Sequence, residues 1–148
     1  MAGRTRTDRW PCPVARTADL LSDQWMIVIL RDSAFGIRRF DDFQRSLEVS
    51  RSVLTTRLNR LVEDGFLEKV AYQDHPPRHE YVPTEKAEAF WPVLAAMWRY
   101  GDEWLFRNGA PVELIDRDTG DQVRAIVVDE ATGEPLDPDG IRVRIRRD

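Results

Sequence analysis

Between Arg51 and Glu63 apolar residues recur at helical spacing. Val53, Leu54, Leu58, Leu61 and Val62 gather on one side of a helix advancing about 100° per residue. Ser52, Thr55, Thr56 and Asn59 fall opposite. Ser50 is placed to cap the start of this helix by accepting from an otherwise unpaired backbone N–H, and Gly65 to end it in a left-handed conformation. A shorter amphipathic helix precedes it from Phe40, closed by a tight corner at Glu48-Val49. Two helices joined by a tight corner, with a cap on the second, form the unit that helix-turn-helix DNA readers use.

The flanking patterns complete a fold. Pro13 is suited to the first turn of a helix running through Leu20 and Leu21. Ser22 or Asp23 caps a second helix whose Trp25, Ile27, Val28, Ile29 and Leu30 are too apolar for a surface element. Residues 37–40 are read as a short strand, with Asp41 capping the next helix. After Gly65 the period changes to that of strands: Phe66, Leu67, Val70 and Tyr72, then Tyr81 and Val82, flank a polar tip from Gln73 to Arg78. This is a hairpin placed as a wing. Thr84 is expected to cap a long helix from Glu85 to about Arg107, kinked at Pro92 and stopped at Asn108-Gly109. Beyond it, Val112–Ile115, Gln122–Asp129 and Ile141–Arg146 read as strands, separated by turns at Asp118-Thr-Gly and Ala131-Thr-Gly-Glu-Pro. The expected class is α+β: a winged helix-turn-helix domain with a long C-terminal dimerisation helix and a small C-terminal antiparallel β ribbon. The domains are a mobile arm over 1–10, the winged helix with its dimerisation helix over 11–109, and an acidic ribbon over 110–148.

Charge first argues against nucleic acid, since the formal net charge of the 148 residues is −4. Its distribution reverses that argument. Residues 1–110 hold 16 Lys+Arg and 16 Asp+Glu, whereas residues 111–148 hold 6 and 10. From Arg38 to Arg60 six arginines face three acids, a local +3, and local basic clusters govern nucleic-acid binding. The face formed by Ser52, Thr55, Thr56 and Asn59, with Arg51 and Arg60 at its edges, carries no acid before Glu63. Hydroxyls, an amide and guanidinium groups bond to base edges and phosphates. Arg57 leans toward the apolar side and suits a structural ion pair or a phosphate contact better than base reading.

No apolar run reaches the roughly 20 residues of a membrane span. The arginines at 4, 6 and 9 are followed by no apolar core, so no secretory signal is read. One cysteine excludes an intramolecular disulfide framework and fits a reducing cytoplasm. One Cys and two His argue against a metal site, and no cofactor is implied. Phosphate-binding glycine loops, a nucleophile with its base and paired catalytic carboxylates are all missing from the pattern, so an enzyme is not expected. The helix after Thr84 carries Phe90, Trp91, Val93, Leu94, Met97, Trp98, Trp104, Leu105 and Phe106, more apolar surface than the edge of a small domain covers. Trp91, Leu94, Met97, Trp98, Trp104 and Leu105 are therefore read as a dimer interface.

Cys12-Pro-Val, Trp25 in an apolar helix, Arg38-Arg39-Phe40, Ser50 through Leu61, Glu63-Asp64-Gly65 and Pro76-Pro77-Arg78 with Tyr81 together resemble HxlR-type transcriptional regulators, part of the wider MarR-like winged-helix group. The resemblance covers roughly residues 11–101. It implies a cytoplasmic homodimeric repressor reading a pseudo-palindromic duplex DNA operator. The DNA-binding set is then Arg38, Arg39, Ser50, Arg51, Ser52, Thr55, Thr56, Asn59, Arg60 and, in the wing, Arg78. The tail resembles the zinc-ribbon-like extension of some relatives without its cysteines. Several family members sense oxidants or electrophiles through an N-terminal cysteine, which makes Cys12 a candidate sensor for an oxidant or small-molecule effector. Set against this is a protein-interaction module that keeps the winged-helix form and binds no DNA.

Overall fold

Asp23 begins the central helix of the first half of the chain: its carboxylate accepts from the N–H of Met26 at 3.2 Å. The structure, a computed structural model, describes residues 7–21, 23–144 and 146. Of the two expected caps, Ser22 lies outside the described residues. Helix α1 spans Pro13–Leu20, α2 Gln24–Ala34, α3 Phe40–Leu47 and α4 Arg51–Glu63. Strands β1 (Leu67–Gln73) and β2 (Arg78–Pro83) form an antiparallel hairpin in which Leu67 faces Pro83 and Lys69 faces Tyr81. Helices α5 (Glu85–Glu88) and α6 (Trp91–Leu105) follow.

The chain divides into two compact units, Met1–Trp91 and Pro92–Asp148. In the first, α2 packs against α3, α4, α5 and β2. Met26, Ile29 and Leu30 of α2 meet Phe43, Leu54, Leu58 and Leu61 in a core from which water is almost wholly excluded, with Phe66, Leu67 and Tyr81 from the hairpin also buried. The apolar side read for residues 51–63 is this buried side; Val53 and Val62 are half-buried at its margins.

Helix ends follow local chemistry. Gly36 (φ 96°) and Gly65 (φ 75°) close α2 and α4 in the same way. In each, the glycine N–H and the next residue's N–H return to carbonyls of the last turn: Gly65 to Val62 and Phe66 to Leu61, Gly36 to Ser33 and Ile37 to Asp32. Glu48 takes the left-handed conformation (φ 51°) at the corner between α3 and α4.

Four expectations between residues 37 and 107 are corrected. Residues 37–39 form no strand; one bridge, Arg39 to Glu80, and the bond from the Tyr81 N–H to the Arg38 carbonyl fasten this segment to β2. Asp41 does not cap α3. Arg39 holds the cap position without a side-chain bond, and Asp41 lies in the first turn, where its charge opposes the positive helix end. Thr84 occupies a cap position but turns its hydroxyl to the carbonyl oxygens of Gly65 (2.7 Å) and Phe66 (3.1 Å), tying the start of α5 to the end of α4. The long helix is divided at Ala89–Phe90, because Pro92 has no N–H for the Glu88 carbonyl and its ring crowds that oxygen.

In the second unit α6 carries the tail: Arg99 donates to the Ala125 carbonyl at 3.0 Å, and Asp102 accepts from the Ala110 N–H at 2.7 Å. The expected tail strands are replaced by turns. Among the described residues only single bridges pair Ile115 with Gln122 and Val128 with Pro135. The reason is local: Asp116 Oδ1 accepts from the N–H groups of Asp118 and Thr119, and Asp129 Oδ1 from those of Ala131 and Thr132. Backbone groups are thereby committed to tight turns rather than a ladder. Residues 141–144 join no ladder either, and Ile145 of that expected strand is outside the described residues.

Candidate nucleic-acid interface

The buried leucines of α4 fix which of its residues face outward. Ser50 accepts from the Val53 N–H at 3.4 Å, setting where the helix begins. Arg51, Ser52, Thr55, Thr56, Asn59 and Arg60 are all exposed along the opposite face. Thr56 returns its hydroxyl to the Ser52 carbonyl at 2.9 Å, and the Ser50 and Ser52 hydroxyls stand 3.2 Å apart.

Cations at the edges of this face are held in different ways. Arg51 Nη1 lies 3.3 Å from Asp41 Oδ1 and 3.2 Å from Gln44 Oε1, with its guanidinium 4.6 Å from the Phe40 ring centroid. Arg60 Nε donates to Asp64 at 2.6 Å, and that carboxylate holds the Arg60 guanidinium above its ordinary pKa. Arg39 donates to Glu80 at 3.2 Å and stacks over Tyr72; the Glu80 bond raises its pKa in the same sense. Arg57 pairs with Asp23 at 2.5 Å, the structural role its lean toward the apolar side suggested. Arg38 points inward and donates to the carbonyls of Ser33 and Ile37.

A groove of about 620 Å³ opens between the starts of α3 and α4 and the hairpin. Arg39, Arg45, Arg51, Lys69 and Arg78 line it beside Tyr72, with Asp41 and Asp42 as its acids. Lys69 is not among the residues expected from the sequence, where the evident basic position of the hairpin is Arg78 at its tip. Strand alternation from Leu67 would have put it on the same side as the buried Leu67, opposite Tyr81 in register. Among the described residues no helix is long and apolar enough to cross a membrane, and no group of three or more His, Cys, Asp or Glu is placed to hold a metal ion.

Residues 20–108 match the HxlR-like helix-turn-helix family. The chain belongs to that family. An uncharacterized helix-turn-helix-type transcriptional regulator of Mycobacterium tuberculosis is 34% identical over 124 residues, 83% of this chain and 78% of that protein. Another, from Synechocystis, is 34% identical over 105 residues, 70% of this chain and 78% of that one. Among solved structures, PA1607, described as a candidate transcription factor, aligns with a TM-score of 0.85 at 35% identity, over 95% of this chain and 99% of its own. The reduced form of the redox regulator HypR aligns with a TM-score of 0.58 at 28% identity, over 62% of this chain and 92% of its own. As a member of the HxlR-like family the chain is a DNA-binding transcriptional regulator with a winged helix-turn-helix fold.

The remaining predicted residues of this family member do not line the groove. Trp91 meets Phe35 edge-on at 5.7 Å. On α6, Leu94 is already buried within the single chain and Trp98 is half-buried beside Leu114, Val123 and Ala125 of the tail. Met97 is exposed, and Trp104 and Leu105 more so, at 70% and 71%. Cys12 is exposed at the cap position of α1, where its side chain makes no capping bond; Arg16, one turn on, donates to the Trp10 carbonyl.

Proposed function

We propose that the protein is a cytoplasmic homodimeric repressor that reads a pseudo-palindromic operator, with α4 of each protomer in the major groove. The carrying observation is that one exposed, acid-free face of α4 adjoins a groove whose hairpin side supplies Lys69 and Arg78, cations that make no ion pair among the described residues. Ser52, Thr55, Thr56 and Asn59 face the bases. Arg78 and Lys69 hold the flanking phosphates, and Arg39, at the cap position of α3 and bonded to Glu80 of the hairpin, adds a third cation to that groove. Arg51 and Arg60 contact a phosphate or a guanine edge. Ser50 serves as the cap that sets the register of this face. Arg38, whose guanidinium is committed to backbone carbonyls, belongs to the support of the site.

The exposed Met97, Trp104 and Leu105 would meet a second copy, Trp91 at one end adding an aromatic anchor, with Leu94 and Trp98 backing that surface from inside the protomer. Two protomers then read half-sites about one helical turn apart. An oxidant would act through Cys12, by a bridge between subunits or a mixed adduct, since the chain has no second cysteine. Selection of bound sequences from random duplex DNA, with and without oxidant, tests these points together. Recovery of paired half-sites, lost on oxidation in wild type and retained in Cys12→Ser, is the expected result. Recovery of no sequence by the reduced protein overturns the reading in favour of a protein-binding module.

A further inference from the structure

The arginine at the head of α4 is held by three groups from the preceding helix. Asp41 and Gln44 both engage the same nitrogen, Nη1, and the Phe40 ring lies under the guanidinium plane. A single exposed ion pair contributes little and leaves its arginine free to swing. Here a carboxylate, an amide oxygen and a ring face fix one guanidinium across a helix–helix corner, which costs it the freedom a phosphate contact would use. Nε and Nη2 have no hydrogen-bond partner among the described residues, and the side chain is 67% exposed. They offer a two-donor edge at the N-terminal end of the reading helix, the end that approaches base edges in helix-turn-helix complexes.

The pair is also electrically matched. With Asp41 at 3.3 Å, the Arg51 charge is largely offset, which weakens its pull on a phosphate anion. A neutral double acceptor, the O6/N7 edge of guanine, suits such a group better, and a planar fork suits that edge. From this geometry we infer that Arg51 reads a guanine within each half-site, and that Asp41 and Gln44 are positioning residues that hold its guanidinium for that contact. The inference rests on α4 being the DNA reader and decides between the two contacts left to Arg51 above.

The test uses the full chain and the duplex selected by wild type, together with duplexes in which each G·C pair of a half-site is replaced in turn. Arg51→Ala is expected to weaken binding to the selected duplex by roughly 5- to 150-fold. One replaced duplex should bind wild type as weakly as the variant and show no further loss with it, and the dependence of affinity on salt should stay unchanged. Asp41→Asn carries the discriminating sign. It removes a negative charge beside the DNA, so a role through charge alone predicts tighter binding to every duplex. A positioning role predicts weaker discrimination at that same base pair, and Gln44→Ala should share the defect. Circular dichroism melts of these surface variants should match wild type. Uniform loss with Arg51→Ala across all duplexes, with a shallower salt dependence, overturns the guanine assignment while leaving α4 as the reader. Selection of no duplex by wild type overturns both.

Discussion

The two units of the chain treat their apolar residues in opposite ways. The first buries Met26, Ile29, Leu30, Phe43, Leu54, Leu58 and Leu61 almost completely, and what it exposes on α4 is polar. The second leaves Tyr100, Trp104, Leu105, Ile126, Val127 and Val143 largely open, and its tail is joined by single bridges rather than a sheet. A unit that has closed its own core can present a rigid reading face. A unit that has not keeps large apolar side chains open to water, which is what the proposed second copy would cover.

The contrast can be broken most sharply at Leu58. Truncating this fully buried side chain to Ala should destabilise the first unit by about 2–5 kcal/mol, read from a shifted urea midpoint with the slope retained. A shift near zero would mean the first unit is less closed than its packing implies. Trp104→Ala should do the reverse: little change in the melt of the winged helix, and a weakening of self-association by about 2 kcal/mol or more in sedimentation equilibrium. An unchanged association constant would remove α6 from the interface.

Smaller effects sharpen the comparison within each unit. Arg78→Ala should reduce affinity for every duplex alike and lower the salt slope by about 0.9, the value for one lost phosphate contact. A sequence-dependent loss would instead make the wing a base reader. In the tail, the bonds from Thr119 and Asp118 N–H groups hold the Asp116 carboxyl below its usual pKa. A depressed folded pKa means that the turn is favoured above the ordinary carboxylate range and loosens as pH falls through the depressed value. The Gly120 amide signal should therefore move at acid pH while core amides of α2 stay fixed, and a Gly120 signal flat across that range would deny the turn its carboxylate clasp.

Legibility in the sequence followed how local the determining contacts are. Helix α4 was readable because its cap at Ser50, its leucines and its stop at Gly65 all lie within sixteen residues of chain and agree. The tail was misread because Val112–Ile115 and Gln122–Asp129 have strand composition, whereas the side chains of Asp116 and Asp129 decide the backbone in favour of turns. At Thr84 the residue type was right for a cap, but its hydroxyl found carbonyls 18 and 19 residues away. The candidate site divided the same way. Which residues of α4 face outward came from periodicity alone. Which arginines are already engaged did not, since Arg51 meets Asp41 across a corner and Arg39 meets Glu80 at a separation of 41 residues.

The clasp at the far end of α4 has a mechanical meaning. Thr84 bonds to Gly65 and Phe66, and Lys86 Nζ donates to the Asp64 carbonyl at 2.6 Å, so α4 is gripped at its C-terminal end by the cap and first turn of α5. The end proposed to meet DNA, which carries Arg51, is the other one. Thirteen residues make a lever about 20 Å long, so a tilt of roughly 5° at the grip carries Arg51 about 1.7 Å sideways. Hydrogen bonds tolerate only a few tenths of an ångström beyond their preferred length. A motion too small to disturb the core would therefore be large enough, at the tip, to break the guanine contact proposed for Arg51.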